Sequence, residues 1–504
     1  MEDEKKDNLN DIEEQIKDTK YNYPLTKINK IKLIIIIASL MVIEAIVIIT
    51  ICYYTFKNDD KLEKENIKDN ELCDKGEEEK CNSCLSGTNN CASCNFRYIL
   101  KDGKCFPNYS FRAEYKTTYE NEKVELIHYL PYDFYGFHTG KINEMSIDEK
   151  EVIPNTTYFF ESPGIHKVYF LLNITGCNCI YSMFKNNEHI ISVHFTENFN
   201  TENLLFINSM FSGCPILTSI NISYFNTSIV QNMNEMFRGC KSLTSIDLSN
   251  FNSSSLNRME YMFSGCESLN SIDLSNFDTS NVTNMEFLFS DCKSLSHINL
   301  NNFKTSKVRN MESIFENCLS LTSIDMSNFD TLQVTNMNNM FANCIKLNSL
   351  DISNFNTLKV QTMSSLFNGC ESLKSIKINN FDISYVNDIS YMFNNCKSLT
   401  SIDVSNFNTS NIFYMNQMFS NCYSLNEVNL SNFEIEKVEN MSYLFTNCSK
   451  LSSIDISSFN NNNTCLYDYM FYGISQNGNL MINEDFCKLI EVQIPEGWKI
   501  NENI

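Results

Sequence analysis

The chain has 504 residues, with 39 Lys and Arg against 61 Asp and Glu and a formal net charge of −22. That balance argues against nucleic acid and anionic lipid surfaces as partners, since both are polyanions that such a chain repels.

In chain order, residues 1–32 are charged and lack a core pattern, and read as a cytoplasmic tail. Leu33 to Cys52 is a largely apolar run, LIIIIASLMVIEAIVIITIC. Twenty residues at about 1.5 Å each span roughly 30 Å, the hydrocarbon thickness of a bilayer, so 33–54 is expected to be a transmembrane signal anchor. A cleaved signal peptide would have an apolar region of about 7–15 residues ending at small residues. This run is longer and ends in Cys-Tyr-Tyr. Lys20, Lys27, Lys30 and Lys32 precede it, and Asp59 and Asp60 follow Lys57. Positive-inside bias then predicts a type II, single-pass protein of the plasma membrane with the repeats outside. Glu44, inside the span, reads as a helix–helix contact or as a protonated side chain tolerated in one helix. Residues 55–72 read as a charged stalk.

Residues 73–106 hold six cysteines, Cys73, Cys81, Cys84, Cys91, Cys94 and Cys105. Two C-x-x-C pairs suggest zinc, but such pairs usually stand about 12 or more residues apart, and these are closer. An even count outside the cell favours a small disulfide-rich module. Residues 107–180 are rich in Tyr, Phe, Val and Ile, and SPGIHKVYFLL (162–172) reads as a turn and a strand. A β-sandwich-like domain is expected there. Cys177 and Cys179 are too close together for an easy mutual bond.

From 181 to 475 the chain repeats. Cysteines at 214, 240, 266, 292, 318, 344, 370, 396, 422 and 448 follow one another at intervals of 26 residues. A strict period of this size marks stacked supersecondary units. One copy is MFSGCESLNSIDLSNFDTSNVTNM (262–285). Ile272 and Leu274 flank polar Asp273, as in a half-buried strand. Met285, Leu288 and Phe289 have the spacing of a short helical turn. The predicted fold is a solenoid, a leucine-rich-repeat-like horseshoe of short parallel strands and short helical turns. Residues 476–504, with Cys487 and Trp498, are expected to cap it.

The motif M-F-x-x-C-x-S-L-x-S-I-D-L-S-N-F-x-T-S-x-V-x-N-M resembles the BspA-like leucine-rich repeat family of microbial surface proteins, over about residues 183–475. The resemblance implies adhesion or protein recognition. CASCNFRYILKDGKC resembles the Cys-rich repeats of furin-like and protist surface proteins.

The ladder cysteines admit three readings: stacked thiolate metal ligands, disulfides between coils, or small buried hydrophobes whose thiols bond a backbone carbonyl. The Met and Phe stripes read as core. A polar column is more suggestive. Asp247, Asp273, Asp325, Asp351, Asp403 and Asp455 share one register position with Asn221, Asn299, Asn429 and Lys377. Ser245, Ser271, Ser323, Ser375, Ser401 and Ser453 stand two residues earlier, where His297 and Glu427 replace serine in their own coils. Strand alternation points both columns outward, onto a face taken as concave. Stacked carboxylates there are expected to repel one another and to titrate high or recruit cations. The alternative is a solvated consensus face with no ligand.

Twelve N-x-S/T sequons follow the apolar run, at Asn108, Asn155, Asn173, Asn221, Asn226, Asn252, Asn281, Asn408, Asn429, Asn440, Asn447 and Asn462. No catalytic or cofactor motif appears, so no enzyme, cofactor or metal is expected. Two functions remain. One is adhesion or recognition of an extracellular protein or glycan. The other is a structural surface coat with no specific ligand.

Overall fold

The computed structural model describes residues 109–128, 140–174, 176–460 and 465–503, with the backbone of four short strands before them. Those strands form two antiparallel hairpins. β1 (Cys81–Cys84) pairs with β2 (Cys91–Cys94), and β3 (Tyr98–Lys101) with β4 (Lys104–Pro107). The register sets Cys81 opposite Cys94 and Cys84 opposite Cys91. The expected disulfides of this module involve side chains outside the described residues.

β5 (Phe111–Thr117) turns Phe111, Ala113 and Tyr115 inward on its two-residue period. It is hydrogen-bonded on both edges, to β10 (Gly164–Asn173) and β11 (Ile190–Phe195), both antiparallel. β7 (Lys141–Ile147) and β8 (Lys150–Val152) extend the sheet beyond β10, and β6 (Glu122–Glu125) pairs separately with β9 (Thr157–Phe160). β11 then pairs in parallel with β12 (Ser219–Asn221), which belongs to the repeats. One hydrophobic core therefore runs from Phe111 to Trp498. This corrects the expected β-sandwich: one six-stranded sheet runs into the repeats because both edges of β5 and β11 are used for pairing.

Beyond β12 the chain advances in stacked 26-residue coils. Residues one period apart bridge in parallel, as Asn310 to Asn336 and Asn336 to Thr362. Buried Phe rings form a column: Phe263, Phe289, Phe315, Phe341 and Phe367 stack with centroids 5.6 to 5.8 Å apart. A second column includes Phe303 and Phe329, 6.3 Å apart. Offset stacking of this kind adds to area burial.

The corner of each coil is not helical, which corrects the predicted helical turns. In the coil of Met285, the N–H groups of Met285, Phe287, Phe289 and Asp291 donate to Asn310, Glu312, Ile314 and Glu316 of the next coil at 2.8 to 3.0 Å. A helix would send those bonds back along its own chain. Two left-handed residues per coil prevent that: Phe287 (φ 54°) and Asp291 (φ 60°) here, and the matching positions in the other coils. The apolar spacing is the same for a helical turn and for this ladder, so the sequence period did not separate them.

The horseshoe is corrected as well. Along the repeats, β13 (Ser271–Asp273) pairs with β14 (His297–Asn299), and β15 (Glu427–Asn429) with β16 (Ser453–Ile456). The coils between those pairs carry no strand on that side and are joined by the corner hydrogen bonds and isolated bridges, so no continuous sheet closes a leucine-rich-repeat solenoid. Transmembrane topology and plasma-membrane localisation are corrected too. No helix among the described residues is long and apolar enough to cross a membrane. α1 (Glu484–Ile490) is the α-helix there, and seven residues at about 1.5 Å each reach only about 10 Å. Residues 33–54 themselves lie outside the described residues, as do the expected tail and stalk.

The far end is covered by β17 (Asn477–Asn483), α1 and β18 (Gly497–Asn503), with β16, β17 and β18 parallel. Asn483 caps α1, its side chain accepting from the Asp485 and Phe486 N–H groups. The side chain of Gln493 accepts from the Met470 N–H at 3.1 Å and ties the cap to the last corner. Trp498 is buried, and its Nε1–H donates to the Ser475 carbonyl at 2.9 Å.

A buried threonine ties successive coils together. The Thr331 hydroxyl donates to the Asn356 carbonyl at 2.8 Å and accepts the Asn356 N–H at 2.7 Å. Thr227, Thr279, Thr305, Thr357 and Thr409 hold the same place, and Ile383 and Ile435 interrupt the column. Thr331→Val keeps the shape and removes both bonds, so it is expected to cost about 1–3 kcal/mol in denaturant unfolding. An unchanged midpoint would show that the hydroxyl is dispensable.

Candidate binding face

The polar columns stand on the strand side of the coils. Ser245, Asp247, Ser271, Asp273, His297, Ser323, Asp325, Asp351, Lys377, Asp403 and Glu427 are exposed, and Asp455 is half-buried. Register confirms their alignment, with Ser271 beside His297, Asp273 beside Asn299, and Glu427 beside Ser453.

Only the middle of this row is brought together in depressions. One groove of about 360 Å³ includes Ser271, Asp273, His297, Asn299, Ser323 and Asp325. A second, of about 420 Å³, includes Ser323, Ser349, Asp351, Ser375 and Lys377. The two share Ser323 and Ile324, so they form one trough across five coils. Ser245, Asp247, Asp403, Glu427 and Asp455 lie outside both. Half-buried Ile298 and Leu350 contribute apolar surface. Asn299, Asn348, Ser349 and Thr322 were not among the predicted binding residues. Ser349 was findable, because it keeps the serine register in a coil that reads Asn-Ser-Leu-Asp.

The aspartates do not behave as mutually repelling carboxylates. Asp325 Oδ1 accepts the Ser327 N–H at 2.9 Å, and Asp351 Oδ1 accepts the Ser353 N–H at 3.0 Å, each closing a turn two residues long. The same bond recurs at Asp247, Asp273 and Asp403. It holds these carboxyls below the usual carboxylate range, through the serine hydroxyl first and its N–H second at Asp247, Asp325 and Asp403, and in the reverse order at Asp273 and Asp351. Lys377 adds a smaller attraction at Asp351. This corrects the expected upward titration: a local donor outweighs a like charge one coil away, which water screens.

The sign of the pH dependence follows. A carboxyl whose folded pKa is depressed stabilises the fold above its ordinary value of about 3.9, and that contribution is lost as pH falls through the depressed value. The melting temperature of the repeats is expected to drop as pH falls below about 4, and to drop less when these aspartates are replaced by Asn. A melting temperature flat across that range would contradict the turn role. Asn221, Asn299 and Asn429 already make the turn in their own coils.

The ladder cysteines are buried thiols that form no disulfide. Cys344 donates to the Phe315 carbonyl at 3.1 Å and Cys370 to the Phe341 carbonyl at 3.2 Å, and the pattern holds from Cys214 to Cys448. Burial pushes the Cys266 and Cys370 thiols up to about 12, so they stay protonated and are poor metal ligands. No group of three or more His, Cys, Asp or Glu among the described residues is arranged to hold a metal.

Of the glycosylation candidates, Asn155, Asn173, Asn226, Asn252, Asn281, Asn408 and Asn429 are exposed. Asn221, Asn440 and Asn447 are half-buried, and Asn447 Nδ2 donates to Asn421 Oδ1 at 2.8 Å within a side-chain ladder. Asn108 and Asn462 lie outside the described residues.

One cluster has the order of a catalytic relay. His166 Nδ1 lies 2.8 Å from Asp148 Oδ2, and its Nε2 lies 3.2 Å from the Thr117 hydroxyl. That hydroxyl is buried and already accepts the Gly164 N–H at 3.0 Å while contacting the Ser162 carbonyl at 3.1 Å. The cluster pins the turn before β10, a packing role that suits no attack on a substrate.

The model of one family, described as Mycoplasma protein of unknown function, DUF285, matches residues 178–299, 289–399 and 370–483. No curated protein matches the chain. The matched stretches run without a break from residue 178 to residue 483, more than half of the sequence, and the chain therefore belongs to the DUF285 repeat family.

Proposed function

We propose that the protein is a binding module, not an enzyme, and that the strand face of its repeats recognises a protein or glycan partner. The observation that carries this reading is the trough shared by five coils, lined by side chains that no fold contact requires to vary. Identical coils would suffice for stacking, yet His297, Lys377 and Asn299 break the Ser/Asp consensus on this face. Stacked repeats use their extended faces for recognition. We extend the family reading to kinship with the BspA-like surface proteins, on the shared repeat motif, and adhesion is the role that kinship implies.

A protein and glycan array tests this with the full chain and a Ser323→Trp/Ser349→Trp variant, whose indoles fill the trough. The wild type is expected to capture array members that the variant loses, at an unchanged melting temperature. Equal capture by both proteins would reject the face. A second reading, a coat without a ligand, draws on the turn bonds that give the aspartates a structural task of their own. It predicts that the wild type captures nothing.

A further inference from the structure

We propose that the trough takes an extended, cationic peptide segment, a Lys- or Arg-bearing stretch of the partner. The inference rests on the reading of the strand face as the recognition surface and names the chemistry of its occupant.

Length comes first. The trough crosses five coils from Ser271 to Lys377. At about 4.8 Å per coil, four steps make roughly 19 Å. An extended peptide rises about 3.3 Å per residue, so about six residues fill it.

Charge comes second. Asp273, Asp325 and Asp351 line the trough, and Lys377 is the one Lys or Arg in it. The carboxyls are held below the usual range and stay ionised near neutral pH. The turn N–H takes one oxygen, Oδ1, at Asp325 and Asp351, and these exposed carboxylates keep acceptor capacity for an ammonium or guanidinium group. Asp325 and Asp351 are adjacent, so two cationic side chains on one face of the peptide can be met in succession.

Surface chemistry comes third. No Tyr, Phe or Trp lines either groove, so the trough lacks the broad aromatic plate on which a sugar ring stacks, and the smaller His297 imidazole is the one ring there. Half-buried Ile298 and Leu350 suit the aliphatic stems of Lys and Arg. Lys377 closes one end against a positive charge and sets the direction of the peptide.

Calorimetric titration of the full chain tests this with an alternating Lys-Gly hexapeptide, an alternating Glu-Gly hexapeptide and cellohexaose. Asp325→Asn/Asp351→Asn keeps the turn bond, as Asn299 and Asn429 do. Asp330→Asn/Glu434→Gln removes two exposed charges outside both grooves and serves as the control. The Lys-Gly peptide is expected to bind, to lose at least about tenfold in affinity in the first variant, and to change by less than about twofold in the control. Lys377→Asp is expected to tighten it. Equal weakening by both double variants would show diffuse attraction to a chain of charge −22 and overturn the proposal. Binding of cellohexaose or the Glu-Gly peptide, lost when the trough is filled by Ser323→Trp/Ser349→Trp, would overturn it and leave the recognition face standing. If no probe responds to either trough variant, the cationic-peptide proposal fails, and the recognition face stands or falls on the array.

Discussion

Phe315→Ala is expected to cost about 3–5 kcal/mol, the range for emptying a buried aromatic site. Phe315 is fully buried and lies between Phe289 at 5.8 Å and Phe341 at 5.7 Å, nearly parallel to both. Each stacked neighbour loses a further aromatic contact. The Phe315 carbonyl also receives the Cys344 thiol, so a shift of this backbone reaches the next coil directly. In a stacked array the damage spreads to adjacent coils before distant ones. Hydrogen exchange should quicken first across residues 289–341. Exchange that rises only near Phe111 or Trp498 would contradict nearest-neighbour coupling.

Gly369→Ala is the second large effect, and its contrast with Gly239→Ala carries the argument. Both glycines precede a ladder cysteine with φ near +70°, where an L side chain is strained. At Gly239 an added Cβ meets only Gly213, at 3.7 Å. At Gly369 it collides with the side chain of Asn343 and comes within 3.2 Å of its Cα. Gly239→Ala should therefore cost about 1 kcal/mol, and Gly369→Ala about 2–3 kcal/mol, by the usual scale of backbone strain. Denaturant midpoints for the two variants measure this. Equal costs would mean that the corner relaxes freely. Asn317, Asn343, Asn395, Asn421 and Asn447 hold the same position, since Asn tolerates left-handed backbone best after Gly.

Much of this was legible in the sequence. The 26-residue period places each apolar side chain in a column, and the burial of Phe315, Cys344, Met337 and Leu347 follows from that register alone. The outward pointing of Asp325 and Ser323 follows from strand alternation. The corner was misjudged because Met285, Leu288 and Phe289 bury equally well in a helical turn and in a ladder between coils. Phe287 at positive φ is a choice no propensity favours, and stacking on Tyr261 at 4.7 Å accompanies it. The aspartate turns were missed because strand alternation already accounts for an outward aspartate, without reference to the serine two residues on. The trough was not legible, because it depends on which of the strand apolar residues stay half-covered, as Ile298 and Leu350 do.

The central claim is that the strand side of the coils holds the partner. Another surface competes with it: Leu466, Tyr469 and Tyr472 are exposed at the last corner, with Tyr443 stacked on Tyr469 at 5.2 Å. Hydrogen exchange of the full chain with and without the Lys-Gly hexapeptide separates the two most directly. Protection is predicted at residues 296–299, 322–325 and 348–351, with the corner at 466–472 unchanged. Protection confined to 466–472, with those three segments exchanging as in the free protein, would contradict the account.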